Sequence, residues 1–324
     1  MVSGGDGSNI APSLRSLSRR AHDSLHRLTE IVQDPRHESL RTWAARMFVA
    51  GMLAYLSWQV IHLGWAEVWA ARPRSPAFYL ILAASYLTLP LADTAIYSRL
   101  WKIGFWRSCP IFLRKRIYNA AFIAYSGEIV LMAWARGRVA LPARTLAHMI
   151  KDSNILSAAV STVATAALVL LLAVHFPLRS NQAGPWLWWA IATVAMAGLI
   201  PFAAIHRHKF MLLGTRTAAA VFAVHLLRFT LTQSLLVALW SVQLPQAGMG
   251  ALLALLAVQM LISRLPVLPS RDLLFVGAGI GLSHGLVLPQ ADVAAMLVTA
   301  SLFQQAMHLA VFLMTSIGPA IGRR

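Results

Sequence analysis

Long apolar runs are the feature that most constrains how this chain can fold. They recur between residues 44 and 317, and a run of about 20 apolar residues is what a helix needs to cross a bilayer. Acidic residues are scarce in the same region: beyond residue 40 there are six, Glu67, Asp93, Glu128, Asp152, Asp272 and Asp292. A chain that is 58% hydrophobic and 12% charged cannot cover a water-soluble surface of this size. We therefore predict an all-α, polytopic membrane protein.

The charge balance and the single cysteine limit the expected partners. A net charge of +17 would suit a nucleic-acid-binding protein, but such a protein does not carry membrane-length apolar runs, so we expect no nucleic-acid partner. Cys109 alone can form neither a disulfide framework nor a thiolate metal cage. The sequence contains no phosphate-binding loop, zinc-protease motif or hydrolase elbow. We expect no metal and no cofactor, and little in the sequence supports an enzyme.

The first 43 residues are predicted to be a basic cytoplasmic segment. Within residues 11–33, aliphatic residues recur at three- and four-residue spacing among arginines, which indicates an amphipathic basic helix. Such a helix can lie on an anionic membrane surface or pack as a solvated helix, and the sequence leaves both open. The polar start is too long for a cleavable signal peptide. Residues 44–318 are the predicted transmembrane domain, and residues 319–324 a cytoplasmic tail.

Nine apolar segments are predicted in this domain, at 44–66, 76–98, 117–135, 153–176, 185–205, 217–243, 247–263, 273–288 and 291–317. Lys and Arg concentrate in the connections 99–116 and 136–151, as in short cytoplasmic loops. Because both connections are basic, the segment between them is expected to enter the membrane and return to the same side. About eight segments then cross, which places both termini in the cytoplasm. An inverted repeat is compatible with this topology.

Two of the apolar segments are unusual in composition. Segment 117–135 is interrupted by Ser126, Gly127 and Glu128, and segment 273–288 is short and rich in glycine. Short or interrupted membrane segments often form broken or re-entrant helices around a binding site. A re-entrant segment 273–288 would reverse the direction of the last helix.

The glycines of segment 273–288 include three at four-residue spacing. Gly277, Gly281 and Gly285 would lie on one smooth face of a helix. Close packing against a neighbouring helix is the favoured interpretation, and a gap for a ligand is the alternative.

Ionisable residues at membrane depth are candidates for function because they are costly there. Glu128 is predicted to line a polar cavity or, alternatively, to form a structural ion pair. Arg228 lies one helical turn after His225 and needs a carboxylate, backbone carbonyls or an anionic ligand. Its expected partners are Glu128, Asp93 and Asp272.

Two further acids have simpler interpretations beside a functional one. Asp93 lies late in its segment, where Arg99 and Lys102 could pair with it at the membrane interface. Asp152 and Ser153 precede an apolar run, so either could cap the helix that begins there.

The last segment carries a polar stripe. Ser301, Gln304, Gln305 and His308 recur at three- and four-residue spacing. They are predicted to form hydrogen bonds between helices or to line a hydrophilic path.

Four elements of the sequence resemble the membrane domain of the bacterial lysylphosphatidylglycerol synthase/flippase family, over residues 44–318. They are Tyr125-Ser126-Gly127-Glu128, the basic stretch from Arg136 to Arg144 leading into Lys151-Asp152-Ser153-Asn154, the entry Arg264-Leu265-Pro266-Val267-Leu268-Pro269, and the glycines from Gly277 to Gly285. The resemblance implies a broken helix at the first element and a charged pair that opens a helix at the second.

The chain also departs from the pattern of that family. The family usually continues with Pro-Gly-Gly and a nearby Glu, where this chain has Pro269-Ser270-Arg271-Asp272, so ligand contact there is in question. The soluble aminoacyl-transferase domain has no counterpart in these residues, and we do not expect lysine transfer by this chain.

The resemblance implies a lipid flippase or transporter that moves a polar-headed lipid, anionic or aminoacylated, or a glycolipid, between leaflets. Its expected partners are anionic phospholipid or glycolipid and a separate lipid-synthesising enzyme; the oligomeric state is open. The alternatives are a membrane enzyme or accessory subunit in lipid or polyprenol metabolism, and a scaffold that recruits a cytoplasmic partner. The residues expected to bind the head group or line its path are Glu128, Ser126, Gly127, Arg228, His225, Asp152, Arg264, Asp272, Gln304 and His308.

Overall fold

A computed structural model describes residues 65–121, 125–175, 186–198, 211–264 and 271–317, with isolated positions before residue 65 and at 200. The chain divides into two compact units, residues 1–53 and 54–324, and the description below concerns the second. The predicted N-terminal basic helix, the first apolar segment and the cytoplasmic tail lie outside the described residues.

Ten helices make up the described part of the chain, which contains no strand, so the prediction of an all-α protein is confirmed. They are α1 (Trp65–Ala70), α2 (Pro76–Leu100), α3 (Phe105–Ala121), α4 (Ser126–Arg136), α5 (Ala143–His175), α6 (Trp186–Gly198), α7 (Thr215–Gln243), α8 (Met249–Ser263), α9 (Arg271–Gly285) and α10 (Gln290–Ile317).

Four of these helices are long and apolar enough to cross a membrane, which fits a membrane protein. They are residues Pro76–Leu100, Ala143–Val174, Thr215–Gln243 and Gln290–Thr315. Helix α8 is apolar but has 15 residues, and α6 and α9 have 13 and 15. Helix α8 is shorter than a span of about 20 residues, and α6 and α9 border residues outside the described part of the chain. The count of about eight crossings therefore stays a prediction.

The basic connection predicted at 99–116 is largely helical, so the expectation of a short loop there is wrong. Helix α3 begins at Phe105 and buries Ser108, Ile111, Phe112 and Lys115. Those positions recur at three- and four-residue spacing and form one face of a helix. The many bases among them resemble a cytoplasmic loop in sequence, because charge density alone does not distinguish a loop from an amphipathic helix.

Helix α5 begins at Ala143, ten residues before the predicted segment. Leu146 and Ile150 are buried and extend its apolar face backwards. Asp152 therefore lies inside the helix. The predictions that it caps or opens a helix are wrong.

Helices α3 and α4 form a hairpin. The chain reverses before Ser126, at Tyr125, whose φ of 72° is the left-handed conformation of a tight turn. Beyond the turn the two helices pack on each other, with Phe112 and Leu131 in one apolar cluster. This fold-back is the shape expected of a segment that enters and returns, although its depth in a membrane stays a prediction.

The apolar core consists of two main clusters that share α2 and α7. Phe78 and Leu82 of α2 pack with Leu239 and Trp240 of α7 and with α8, α9 and α10. At the opposite ends of the same two helices, Tyr97 packs with Val221 and with the hairpin. Helices α2 and α7 are thus antiparallel neighbours, each with an apolar cluster at both ends.

Only part of the glycine face predicted on α9 packs against other helices. Gly277 and Gly279 are buried, and a Cβ on Gly279 would lie 2.6 Å from Cδ1 of Leu297 on α10. Gly281 and Gly285 have open space beside them. The close approach is therefore at Gly279, outside the predicted four-residue series.

Candidate functional site

Polar side chains occupy the middle of α2 and α7, between the two apolar clusters. We call this group the polar layer; it consists of Thr88 and Asp93 of α2, Ser153 and Ser157 of α5, and His225, Arg228 and Thr232 of α7. These residues are buried or half-buried. Because α2, α5 and α7 have membrane length, the middle of α2 and α7 would lie deep in a bilayer, where polar groups need partners inside the protein.

An ion-pair triad joins the hairpin to the polar layer. Nζ of Lys115 lies 2.8 Å from Oδ2 of Asp93 and 3.3 Å from Oε1 of Glu128. All three side chains are largely buried, with relative exposures of 8%, 5% and 14%. Lys115 also lies 5.9 Å from the centre of the Tyr97 ring. One ammonium thus serves two carboxylates that come from different helices.

The electrostatics of the triad keep Lys115 charged. The carboxylates of Asp93 and Glu128 offset the cost of burying the ammonium, which favours its charged form. Oε2 of Glu128 is buried and has no hydrogen-bond partner among the described residues. The Glu128 carboxylate therefore keeps one oxygen with which it can accept a hydrogen bond from a ligand.

The turn of the hairpin sets the position of Glu128. Ser126 Oγ donates to the carbonyl of Tyr118, and the Gly127 N–H donates to Oδ1 of Asn119 at 2.7 Å. A Cβ on Gly127 would lie 2.3 Å from the carbonyl oxygen of Lys115. Only glycine permits this approach of the two backbones, and the approach brings Glu128 beside Lys115.

Helix α5 supplies hydroxyl partners for α7. His225 Nε2 and Ser153 Oγ share a hydrogen bond of 3.0 Å, and Arg228 Nη2 donates to Ser157 Oγ at 3.2 Å. Thr232 Oγ1 lies 2.8 Å from Thr88 Oγ1. Hydrogen bonds of neutral hydroxyl groups thus connect the three helices of the polar layer.

The predicted carboxylate partner of Arg228 is not present. No salt bridge joins Arg228 to Glu128, Asp93 or Asp272 within the described residues, and its Nε is buried without a hydrogen-bond partner there. Asp93 pairs with Lys115 instead of Arg99 or Lys102. The reason is tertiary, because the packing of the hairpin places Lys115 beside both Asp93 and Glu128.

A second polar group lies where α3 meets α10, and we call it the Arg116 group. The Arg116 guanidinium carbon lies 4.3 Å from the centre of the Tyr86 ring, and the Tyr86 hydroxyl shares a hydrogen bond of 2.9 Å with His308 Nδ1. One turn before His308, Gln304 Nε2 donates to Oδ2 of Asp272 at 2.9 Å. Of the predicted polar stripe, Gln304 and His308 form hydrogen bonds to other helices. The alternative, that the stripe lines a hydrophilic path, stays a prediction.

Two residues expected in the site are used elsewhere. Asp152 Oδ2 accepts the backbone N–H groups of Leu212 and Leu213 at 2.6 and 3.0 Å, and so fixes the chain that leads into α7. Arg264 ends α8 and donates to Thr162 Oγ1 at 3.3 Å. Within the described part of the chain, neither forms a hydrogen bond or ion pair with the triad or the Arg116 group.

Sequence reasoning missed Lys115, Arg116 and Tyr86. The two cations were assigned to a loop because they stand in a run of bases, Arg114-Lys115-Arg116. The signal that could have found Lys115 is its place on the same helical face as Ser108, Ile111 and Phe112. Tyr86 carries no such signal, because an aromatic residue in an apolar segment has no distinctive pattern.

Among the described residues no group of three or more His, Cys, Asp or Glu side chains could hold a metal ion. Comparison with known proteins adds no relative: no family model, no curated protein and no solved structure matches the chain.

Proposed function

We propose that this protein is a membrane transporter that moves a polar-headed lipid between leaflets. The observation that carries the proposal is the polar layer at mid-length of α2 and α7, with apolar clusters at both ends of the same helices. A helix that served only to anchor the chain would not need charged groups at that depth.

The physical argument starts from the barrier that a head group meets. A charged or strongly polar group crossing hydrocarbon loses its hydration, which costs several kcal/mol or more. Buried groups of both signs can replace that hydration step by step. Lys115 and Glu128 of the hairpin supply such groups, next to Asp93 and Arg228 of the polar layer.

The atoms left without partners indicate what a ligand would offer. Oε2 of Glu128 can accept a hydrogen bond from a hydroxyl or an ammonium group, and Nε of Arg228 can donate to a phosphate oxygen. A lipid head group with both a phosphate and a hydroxyl or amine satisfies the two. Anionic, aminoacylated and sugar-bearing head groups fall in this class.

The resemblance to the lysylphosphatidylglycerol synthase/flippase family supports the same proposal. It also favours a bacterial inner-membrane location and a separate enzyme that makes the lipid, while the distribution of Lys and Arg favours cytoplasmic termini. The interrupted helix that forms part of the resemblance is where the hairpin turns, next to Glu128.

Reconstitution of the full chain into liposomes tests the proposal. Vesicles would contain a trace of fluorescent phosphatidylglycerol, phosphatidylethanolamine or a glycolipid, and a membrane-impermeant quencher would report the fraction of probe in the outer leaflet. Wild-type protein should make the inner-leaflet probe accessible for at least one head group, and Glu128→Gln should slow this step. Glu67→Gln is the matched control, because Glu67 is exposed on α1.

Each outcome has a clear meaning. Slow exchange in protein-free vesicles and in Glu128→Gln vesicles, with fast exchange in wild-type and Glu67→Gln vesicles, supports transport through the polar layer. Wild-type exchange no faster than in empty vesicles for every head group contradicts it. Chemical conversion of the lipid by the purified chain, without exchange, would favour the enzyme alternative.

A further inference from the structure

We propose that the Arg116 group binds the phosphodiester of a membrane phospholipid, with Arg116 and His308 as the donors. This inference deepens the proposed transport function and rests on it for the source of the ligand. It concerns a different part of the molecule from the Lys115 triad, since Arg116 follows Lys115 on α3 but contacts Tyr86 and not the two carboxylates of the triad.

Two buried donors converge on one aromatic ring. The Arg116 guanidinium lies over the face of Tyr86, at 4.3 Å from its centre, and the His308 ring meets the same ring at 5.2 Å, edge to face. Nε of Arg116 and Nε2 of His308 are both buried and have no hydrogen-bond partner within the described residues. Buried donors of this kind are costly unless a ligand satisfies them.

The Tyr86 hydroxyl decides what His308 can offer. When the hydroxyl donates to Nδ1 of His308, the ring proton is on Nε2, and Nε2 is a hydrogen-bond donor. The Arg116 guanidinium favours this direction of the hydrogen bond, because the lone pairs of the Tyr86 hydroxyl oxygen then face the cation. Arg116 and His308 therefore present two N–H groups, which suits an anion with several oxygens.

The carboxylate of Asp272 favours an anion with a single negative charge over a dianion. The Gln304 amide donates to this carboxylate at the edge of the group, and the Asp272 charge acts on Arg116. A dianionic phosphate monoester would face this carboxyl group with twice the charge of a phosphodiester. A phosphodiester with a hydroxyl or amine next to it fits both the donors and the acceptor.

The depth of the group indicates a lipid as the source of the phosphate. Tyr86 lies near the middle of α2, and His308 lies within α10, both of which have membrane length. Soluble phosphate would have to enter the hydrocarbon region, whereas a phospholipid can bring its head group there from the leaflet.

Binding to the purified full chain in a neutral detergent tests the site. The ligands are dioctanoyl phosphatidylglycerol, dioctanoyl phosphatidic acid, dioctanoylglycerol and inorganic phosphate, and the readouts are Kd and the melting temperature of each variant. Wild-type protein should bind phosphatidylglycerol more tightly than phosphatidic acid, and should bind dioctanoylglycerol and inorganic phosphate much more weakly. Arg116→Gln should raise the Kd for phosphatidylglycerol roughly tenfold or more, because one charge-assisted hydrogen bond is lost.

Two further variants keep the test decisive. Arg107→Gln removes an exposed base from the same helix and should leave the Kd unchanged. His308→Leu removes the neutral Nε2–H donor and the acceptor of the Tyr86 hydroxyl. It should raise the Kd by roughly two- to tenfold, and it replaces Arg116→Gln if that variant does not fold. Variants of Arg116 and His308 that fold and bind phosphatidylglycerol like the wild type would overturn the proposal.

The ligand series separates the other outcomes. Equal binding of dioctanoylglycerol and phosphatidylglycerol would overturn a phosphate site, and competition by inorganic phosphate at similar concentrations would overturn its assignment to a lipid. Binding that depends on Arg116 without lipid exchange in liposomes would leave the site in place and contradict transport. Lipid exchange in liposomes, together with unchanged binding of phosphatidylglycerol by folded Arg116→Gln, would support transport and overturn the Arg116 site.

Discussion

Nζ of Lys115 on α3 lies 2.8 Å from Oδ2 of Asp93 on α2. Lys115 is the middle residue of a run of three bases, yet it is buried in this ion pair. The same ammonium lies 3.3 Å from Glu128 on the other arm of the hairpin. This pairing links the hairpin to α2 and brings Glu128 next to the polar layer.

Replacing Lys115 by Met should strongly destabilise the protein. The substitution leaves Asp93 and Glu128 buried without their cation, and breaking a buried ion pair in this way typically costs about 3–5 kcal/mol. Thermal unfolding in detergent would measure the change, with Arg107→Met as a control on the exposed face of α3. The double variant Lys115→Met with Asp93→Asn should recover part of the loss. A single variant as stable as the control would contradict the role assigned to the pair.

Gly127→Ala should open the hairpin. The new Cβ would meet the Lys115 carbonyl at 2.3 Å, and that atom belongs to a helix backbone that cannot move aside cheaply. Overpacking of this kind costs about 1–3 kcal/mol, and the shift would also carry Glu128 away from Lys115. Melting temperature and the lipid-exchange rate should both fall.

Two other glycines provide matched controls for Gly127→Ala. At Gly279 the nearest atom is the end of the flexible Leu297 side chain, so alanine should cost less there. At Gly281 nothing lies within 4 Å, and alanine in a helix should be neutral or stabilising by up to about 1 kcal/mol. A different order of stability among the three variants would count against the geometry of the hairpin.

Asp152→Ala should loosen the chain before α7. The carboxylate accepts two backbone N–H groups, from Leu212 and Leu213, and their loss as buried donors should cost about 1–3 kcal/mol. Hydrogen exchange of residues 211–214 should accelerate, and less so in Asp152→Asn, which keeps an acceptor oxygen. Unchanged protection in the alanine variant would show that the contact does not hold this segment.

The hairpin should enter and leave the membrane on the same side. Cys109 is the single cysteine of the sequence, so a Cys109→Ser background allows single cysteines to be placed at Trp106, before the hairpin turn, and at Ala140, after it. Both residues are exposed. An impermeant maleimide should label both variants from the cytoplasmic side and neither from the other side. Labelling from opposite sides would mean that the segment crosses.

The sequence predicted the helical class and the positions of the four membrane-length helices well. These properties depend on local composition, because a run of apolar residues that must satisfy its own backbone in hydrocarbon can only be a helix. The same holds for the interruption beside Ser126, where the chain turns. Helix α3 covers much of the connection 99–116, and α5 begins ten residues before its predicted apolar segment, because basic residues can extend an amphipathic helix as well as fill a loop.

The partners of the charged residues were not predictable in the same way. The sequence by itself determined that Glu128 and Arg228 need compensation, since a charge at membrane depth is costly wherever it lies. Only the tertiary structure decided that Lys115 compensates Asp93 and Glu128, that Arg228 turns to Ser157, and that Arg116 packs on Tyr86. An ion pair depends on the distance between two side chains, and that distance is set by helix packing over long separations in the chain.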